Sequence, residues 1–271
     1  VGENLKKDEI VVNKGKIINA ADVGQLAASG NNEIEVYNKI KISVISTGDE
    51  LVSSISKERS NGQIYDANRP MLLSLLNSNY LETIDMGIVK DIREDLANKY
   101  NECLSKSDVV ISSGGASDGV EDHTQNALKD IGAKCIVWQL AMKPGKPMSI
   151  GLLGKKIIFC LPGNPVAAFV CTKLLIKPLI IKLAGGVNLN PLSMKLPSGF
   201  THNKKIGRAE YLRAKIINEN EKTFITIHGR KGAGVISSLT GADGIVEIPM
   251  EYKSVVKGEL LNFFPFDHRG L

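Results

Sequence analysis

The chain has 271 residues, 43% of them hydrophobic and 23% charged, with a net charge of +5. This balance is typical of a folded globular protein and excludes a disordered chain, a collagen-like repeat and a disulfide-rich miniprotein. Aromatic residues make up only 5% and no basic run carries interleaved aromatics, so nucleic-acid binding is disfavoured. The longest apolar stretch, 174–184, is broken by Lys177, Pro178 and Lys182, so we expect no membrane span.

The first forty residues are predicted to form a short lead-in to the main domain. Residues 10–18 favour a hairpin around Lys14 and Gly15. Residues 20–30 favour a short helix that ends at Gly30.

From residue 41 onward, short apolar segments alternate with amphipathic ones. Asn68 and Asp91 are placed to cap helices, and Pro178 is expected to bend or split the last helix. The alternation predicts a doubly wound, mostly parallel α/β domain over residues 41–186. The predicted strands are 41–46, 81–89, 108–112, 133–138 and 155–161. The predicted helices begin near Asn68, Asp91, 122 and 165.

After Gly185 and Gly186 the helical period disappears. The following segments alternate like strands and are separated by glycine and asparagine turns. We therefore predict a small all-β C-terminal domain over residues 187–271. Its predicted strands are 209–217, 223–229, 244–250 and 255–264.

Four predicted strands of the α/β domain end in segments rich in glycine, proline, acids and lysines. Ligands of open parallel sheets bind at the carboxyl ends of the strands, so these four segments should meet at one edge and form a binding site. The segments are 46–51, 112–124, 140–148 and 161–165.

The residue types at this edge favour a polyanion together with a divalent metal. Gly114 and Gly115 follow a buried strand and can offer backbone N–H groups to a phosphate, although an ordinary tight turn would also explain them. Lys143 and Lys146 flank a Pro-Gly turn that can aim both ammonium groups at one anion; a solvated lysine pair is the alternative.

Carboxylates are dense in the same segments. Such hard oxygen ligands suit Mg²⁺, which binds through one or two carboxylates and substrate phosphates. Taken singly, each acid could also be a solvated loop residue or a helix cap. The acids are Asp49, Glu50, Asp118, Glu121 and Asp122.

Several other chemistries find no support. His123 has no second histidine or cysteine at metal-ligand spacing, so no zinc site is predicted. No Walker lysine motif occurs. The four cysteines lie far apart without a C-x-x-C pair, which favours reduced, buried thiols in a cytoplasmic protein. They are Cys103, Cys135, Cys160 and Cys171.

Five motifs together resemble the molybdopterin molybdenumtransferase family, the MoeA-like proteins related to the E domain of gephyrin. The resemblance implies a MogA/MoaB-like molybdopterin-binding domain and the insertion of molybdate into adenylylated molybdopterin, with release of AMP and assistance from Mg²⁺. The motifs are STGDEL (46–51), GQIYDANR (62–69), SSGGASDGVEDHT (112–124), KPGKP (143–147) and LPGNPV (161–166).

The resemblance also assigns roles to individual residues. Glu50, Asp91 and Asp122 match functional acids of the family, and Glu50 and Asp122 are the expected Mg²⁺ ligands. Lys143 and Lys146 match lysines placed near the pterin phosphate and molybdate. Arg208, in GRAEY, resembles an arginine that holds molybdate. The remaining residues expected to bind substrate are Thr47, Gly48, Asp49, Ser113, Gly114, Gly115, Ser117, Asp118, Pro162, Gly163, Asn164 and Pro165.

The resemblance further implies a longer protein. Family members carry additional N-terminal sequence, and residues 1–40 are interpreted as the end of that region. Such proteins form homodimers, and an adenylyltransferase is a possible partner. Ala233 stands where similar sequences often have serine, which would remove one hydroxyl contact to molybdate. Two alternatives stay open: a molybdopterin adenylyltransferase that uses ATP, and a gephyrin-like scaffold that binds a partner peptide.

Overall fold

The computed structural model describes residues 5–53, 59–114, 123–229, 232 and 234–266. The helices are α1 (Ala20–Ala28), α2 (Asn68–Leu75), α3 (Arg93–Lys106), α4 (His123–Asp130), α5 (Pro165–Cys171), α6 (Lys177–Leu183) and α7 (Ser237–Thr240), with a π-helical turn, Thr172–Ile176, between α5 and α6. The strands of the first part are β1 (Ile40–Thr47), β2 (Leu51–Val52), β3 (Ile64–Tyr65), β4 (Leu81–Val89), β5 (Val109–Ser113), β6 (Lys134–Gln139), β7 (Met142–Lys143), β8 (Pro147–Leu153) and β9 (Lys156–Leu161). Those of the second part are β10 (Met194–Pro197), β11 (His202–Asn203), β12 (Ala209–Glu219), β13 (Lys222–Ile227), β14 (Gly244–Ile248), β15 (Ser254–Val255) and β16 (Leu260–Pro265).

The first part is built on a six-stranded sheet in the order β4-β1-β5-β9-β8-β6. The pairs β4-β1, β1-β5 and β5-β9 are parallel, whereas β8 is antiparallel to both β9 and β6. The predicted α/β class is therefore confirmed. Strand β8 was not predicted, because Pro147, Gly151 and Gly154 make its sequence look like a connecting segment; it forms a hairpin with β9 instead.

Helices cover both faces of this sheet. Ile42 and Val44 of β1 belong to one buried cluster, together with Leu72 of α2 and Val166 of α5. Ile45 belongs to the cluster on the opposite face, which includes side chains of α3. Strand β1 was recognisable in the sequence because Ile42 and Val44 alternate with polar residues and the segment ends at Thr47 and Gly48.

The lead-in differs from its prediction. Residues 10–18 form no hairpin but a single turn, in which the Lys16 N–H donates to the Asn13 carbonyl at 3.3 Å. A two-stranded hairpin is marginal without further packing, so a favourable turn sequence does not suffice. The helix predicted at 20–30 is confirmed as α1, which a capping box between Asn19 and Asp22 begins.

Two predicted helix caps are wrong, although the helices themselves are confirmed. Asn68 is the first residue of α2 and not its cap. Ile92, not Asp91, precedes α3, and no side-chain hydrogen bond caps that helix. The helix predicted to bend or split at Pro178 is divided into α5 and α6 by the π-helical turn, so this prediction is confirmed. The chain remains helical there, and the missing N–H of Pro178 is accommodated by the π-helical turn just before it.

The second part is a sheet in the order β10-β16-β14-β12-β13, whose neighbours are antiparallel. This confirms the predicted all-β C-terminal region. The strand predicted at 255–264 is in fact two short strands, β15 and β16, and β10 was not predicted. Among the helices that the structure describes, none has the length and apolar character needed to cross a bilayer.

The two parts are packed against each other. Leu239 and Ile245 of the C-terminal part lie in the same buried cluster as the core of the α/β sheet. The rings of Phe169 and Phe266 meet edge to face at 4.9 Å. Strand β7 follows β6 in the chain but pairs in parallel with β12 of the second sheet. The segment that carries Lys143 therefore belongs to the second sheet as well as to the first part.

Candidate functional site

The carboxyl ends of β1, β5, β9 and β6 lie at one edge of the sheet, here called the carboxyl edge. Ser46 pairs with Ser113, and Ser113 pairs with Leu161, so the first three strands end level. Strand β6 points the same way as β9, because β8 is antiparallel to both. The prediction that these strand ends meet at one edge is confirmed.

Gly114 allows the ends of β1 and β5 to approach closely. Its φ is +102°, and a Cβ placed on it would lie 2.1 Å from the carbonyl oxygen of Thr47. Its N–H donates to the Leu161 carbonyl at 3.2 Å, which joins β5 to β9. Only glycine fits such a position. Close packing of strands thus accounts for Gly114, and phosphate binding by its neighbourhood stays a prediction.

Some of the predicted residues lie outside the described part of the chain. Their roles stay predictions. They are Gly115, Ser117, Asp118, Glu121, Asp122 and Ala233.

The segment around α2 holds three strand ends together. Asn68 is buried, and its Nδ2 donates both to Ser113 Oγ at 2.8 Å and to the Gly163 carbonyl at 2.7 Å. Asp66 accepts a hydrogen bond from Ser46 Oγ at 2.9 Å and pairs with Arg69 Nε at 2.9 Å. Asn68 was predicted to cap a helix, and no individual role was predicted for Asp66 or Arg69. The only signal was their place in the GQIYDANR motif.

Three buried polar atoms at the carboxyl edge have no hydrogen-bond partner among the described residues. They are Thr47 Oγ1, Asn68 Oδ1 and Asn164 Oδ1. Buried polar atoms are nearly always paired with protein, water or ligand. Among the described residues, these atoms beside Ser113 and Gly163 are therefore available to accept or donate further hydrogen bonds.

Asn68→Ala is expected to lower the free energy of unfolding by about 2–3 kcal/mol, because it removes two buried hydrogen bonds and leaves Ser113 Oγ and the Gly163 carbonyl without this donor. Denaturant unfolding measures the change. Asn77→Ala, at an exposed position just beyond the same helix, is the control and should change stability by less than about 0.5 kcal/mol. Equal effects would show that the Asn68 bridge does not hold the strand ends.

Three acids lie at the ends of β1 and β4. The exposed Glu50 folds back over Gly48, whose φ is +153°, and Glu50 Oε2 lies 2.6 Å from the place that a Cβ on Gly48 would occupy. Asp49 accepts a hydrogen bond from the backbone N–H of Asp91 at 3.2 Å. Asp49 therefore joins two strand ends, while the Glu50 carboxylate faces solvent.

The described acids include one carboxylate, that of Glu50, in a position that suits a magnesium ion. Within the described ranges, no three histidine, cysteine, aspartate or glutamate side chains form a metal cluster. Mg²⁺ in phosphate-binding sites needs only one or two protein carboxylates, since substrate oxygens and water complete its shell. The exposed Glu50, in the space that Gly48 leaves, fits that donor set. The second expected ligand, Asp122, lies outside the described residues.

The turn that carries the two lysines lies between the α/β sheet and the β domain. The Leu140 N–H donates to the Lys146 carbonyl at 2.8 Å and closes the turn. The Ala209 N–H donates to the Ala141 carbonyl at 2.8 Å and attaches the turn to β12. Arg208, the residue before β12, is exposed. The structure thus brings the lysine turn and the region of Arg208 to the same junction.

Lys143 forms an ion pair that the sequence did not indicate. Its Nζ lies 3.1 Å from Oε1 of Glu210, and the other carboxylate oxygen lies 2.8 Å from His202 Nε2. Burial raises the pKa of Glu210, but the hydrogen bonds from His202 and Lys143 outweigh it and hold that pKa below its usual value. Glu210 is therefore charged at neutral pH. Nothing in the local sequence distinguishes it from an ordinary strand glutamate.

A buried arginine, Arg213, forms hydrogen bonds to another segment of the β domain. Arg213 Nε donates to Ser238 Oγ at 2.9 Å, and its Nη2 donates to the Gly232 carbonyl at 3.4 Å. Burial lowers the pKa of Arg213. Arg213 was not predicted to have a role, and it joins β12 to Ser238 and Gly232.

The cysteines agree with their prediction. All four are free, and three are buried. Burial raises the pKa of Cys103 to about 11 and that of Cys171 to about 12, so these two thiols stay protonated and unreactive at neutral pH. No nucleophilic role is indicated for them.

A separate cavity of about 790 Å³ lies between the lead-in and the end of α6. It is lined by residues of the lead-in, among them Lys14 and Tyr37, and by Tyr80 and Ile181. Its described lining contains none of the predicted site residues.

Comparison with known proteins identifies the family. A family described as "Probable molybdopterin binding domain" matches residues 43–182, and one described as "MoeA C-terminal region (domain IV)" matches residues 195–266. The chain therefore belongs to the molybdopterin-binding domain proteins. Within them it is a member of the MoeA-like molybdopterin molybdenumtransferase family.

Individual relatives agree with this placement. The molybdopterin molybdenumtransferase of Haemophilus influenzae is 33% identical over 270 residues, which cover 99% of this chain and 66% of that protein. The Nostoc protein of the same name is 30% identical over 89% of this chain and 56% of its own length. The solved molybdopterin biosynthesis MoeA protein from Pyrococcus horikosii superposes with a TM-score of 0.81 at 31% identity, covering 97% of this chain and 63% of that one. This chain thus spans less than two thirds of the length of these relatives.

Proposed function

We propose that this chain is the substrate-binding core of a longer enzyme of molybdenum cofactor biosynthesis, which inserts molybdate into adenylylated molybdopterin and releases AMP. The supporting observation is the junction where the carboxyl edge of the α/β sheet meets the lysine turn held by the β domain. A substrate with a pyrophosphate and a small oxyanion needs backbone donors and cations side by side. This junction supplies the cations, and the glycine segment after Ser113 is the proposed source of the backbone donors.

The residues of the proposed site have different roles in binding the substrate. Lys143, Lys146 and Arg208 neutralise the substrate phosphate and molybdate, since ammonium and guanidinium groups form strong charge-assisted hydrogen bonds to oxyanions. The N–H of Gly114 is hydrogen-bonded to the Leu161 carbonyl, so the proposed backbone donors to the phosphates belong to the glycine segment that follows it. Residues 162–165, the Pro-Gly-Asn-Pro turn held by Asn68, shape the wall beside them. Thr47, Gly48 and Asp49 form the opposite wall.

The acids complete the proposed site. Glu50 and Asp122 would hold Mg²⁺, which supplies positive charge to the pyrophosphate when it is bound. The backbone N–H of Asp91 donates a hydrogen bond to Asp49, which fixes the end of β4 beside Glu50. The proposal also includes the division into residues 1–40, 41–186 and 187–271, a cytoplasmic homodimer of the longer protein, and an adenylyltransferase as the source of its substrate.

The experiment is a turnover assay on the full-length protein with adenylylated molybdopterin. AMP is quantified with and without molybdate, and AMP transfer from ATP to molybdopterin is measured in parallel. The proposal expects release of AMP that depends on molybdate. ATP-dependent adenylylation would instead indicate an adenylyltransferase. A folded protein without either activity would leave a binding scaffold and contradict the proposal.

Lys146→Ala is expected to weaken the binding of adenylylated molybdopterin by about 1–3 kcal/mol, because it removes one charge-assisted contact to an oxyanion. Calorimetric titration of the ligand measures the change, and the unfolding midpoint should move little. Lys129→Ala, a lysine in the last turn of α4, is the control. If Lys146→Ala and Lys129→Ala bind the ligand as tightly as the unmodified protein, Lys146 lies outside the site.

A further inference from the structure

A row of three charged or ionisable side chains crosses the junction between the two domains. Lys143 comes from the lysine turn, and Glu210 and His202 come from the β domain. The Lys143 ammonium contacts one oxygen of Glu210 at 3.1 Å, and His202 Nε2 contacts the other at 2.8 Å. Neither Glu210 nor His202 has a part in the function proposed above.

The three members of the row differ in burial. The side chains of Glu210 and His202 are 10% and 12% exposed, whereas that of Lys143 is 60% exposed. The carboxylate is thus fixed within the fold, and the ammonium at its end reaches solvent. A lysine side chain alone would be flexible, with considerable rotamer entropy to lose on binding a ligand.

The backbone strengthens this arrangement. Met142 and Lys143 pair in register with Ala209 and Glu210, so the two residues of the ion pair are neighbours on adjacent strands. An ammonium group has three N–H donors. Glu210 uses one of them, which leaves two for a ligand approaching from the exposed side.

We propose that Glu210 is a positioning residue for Lys143: held by His202, it fixes the ammonium of the α/β domain's lysine turn in the geometry that receives an oxyanion. The β domain then determines where that lysine points. This inference rests on the proposed function, because it takes Lys143 to bind the substrate's anionic part. The alternative is that Glu210 competes with the ligand: its carboxylate binds the Lys143 ammonium, and an incoming anion must displace that carboxylate.

The test is a double-mutant cycle on anion affinity. Calorimetry measures the binding of inorganic molybdate, with inorganic pyrophosphate as a second probe, to the unmodified protein, Glu210→Gln, Lys143→Met and the double variant. We expect a loss of about tenfold for Lys143→Met and about fivefold for Glu210→Gln. In the Lys143→Met background, Glu210→Gln should have no further effect, since its influence passes through the ammonium.

Glu247→Gln is the matched control. Glu247 is a glutamate of the neighbouring strand β14 that accepts hydrogen bonds from Tyr211 and Asn262 and should not alter anion affinity. Should Glu210→Gln fail to fold, His202→Leu removes the hydrogen bond to the other carboxylate oxygen of Glu210. It should lower affinity by about two- to threefold, again only when Lys143 is present.

Each outcome of this cycle supports or overturns the positioning role of Glu210. Unchanged affinity in Glu210→Gln overturns the positioning role, increased affinity shows competition, and an equal loss in the Lys143→Met background shows an effect that bypasses the lysine. If Lys143→Met itself binds both anions normally, or if the unmodified protein binds neither, then the lysine assignment of the proposed function fails together with the inference. Loss in Lys143→Met without loss in Glu210→Gln removes the inference alone.

Discussion

Gly114→Ala is expected to lower the free energy of unfolding by at least about 3 kcal/mol and to abolish ligand binding at the carboxyl edge. The added methyl group would lie 2.1 Å from the Thr47 carbonyl oxygen, and the residue would keep a φ of +102° that L-residues rarely adopt. The obstacle is backbone of the central strand β1, so it cannot rotate away. The strands β1 and β5 must separate, and the edge they form is lost.

Gly132→Ala distinguishes the steric clash from the unfavourable backbone conformation as the cause of the expected loss of stability. Gly132 also has a positive φ, +75°, but a Cβ there would meet nothing within 4 Å. It should lose only about 1 kcal/mol, the cost of the unfavourable backbone conformation. Chemical denaturation of both variants gives the comparison. Similar losses in the two variants would mean that the close approach of β1 and β5 has little energetic weight.

Glu50→Gln is expected to reduce the Mg²⁺-dependent part of ligand binding by at least about tenfold while the fold stays intact. The carboxylate is exposed and lies on the segment after β1, so its charge is not needed for packing. The amide keeps the shape of the side chain but removes the charge that attracts a cation. Calorimetric titration of adenylylated molybdopterin, with Mg²⁺ and with EDTA, measures both parts.

The control for this variant is Glu82→Gln. Glu82 is an exposed glutamate near the beginning of β4, at the edge of the sheet opposite to the carboxyl edge. It should leave binding unchanged in both conditions. If Glu50→Gln weakens binding equally in Mg²⁺ and in EDTA, or lowers the unfolding midpoint while the Mg²⁺ response persists, Glu50 braces its loop and does not hold the metal.

Local pattern was sufficient for most of the α/β fold. Strand β5 begins as a short apolar run and β1 alternates apolar with polar residues, and the segments after both carry glycine and acids. Both the sheet and the edge at which its strands end could therefore be predicted. Strand β8 could not, because a hairpin strand with glycine and proline has the composition of a loop. Which of its residues pair is decided by the neighbouring strands β9 and β6.

Long-range polar contacts were the part that the sequence did not reveal. Asn68 looked like a helix cap, since asparagine before a helix usually is one, but its amide bridges residues 45 and 95 positions away. Glu210 contacts a lysine 67 positions away. Such contacts depend on how two sheets pack, and no periodicity in the chain encodes them.

The proposed oxyanion site lies where the carboxyl edge meets the lysine turn. Tungstate has the shape and charge of molybdate, and tungsten scatters X-rays anomalously, so crystals of this chain soaked in tungstate locate the site directly. The anomalous peak is predicted beside Lys143 and Lys146, within reach of Arg208. A peak in the cavity lined by Lys14, Tyr37 and Tyr80, with none at the lysine turn, would contradict the account.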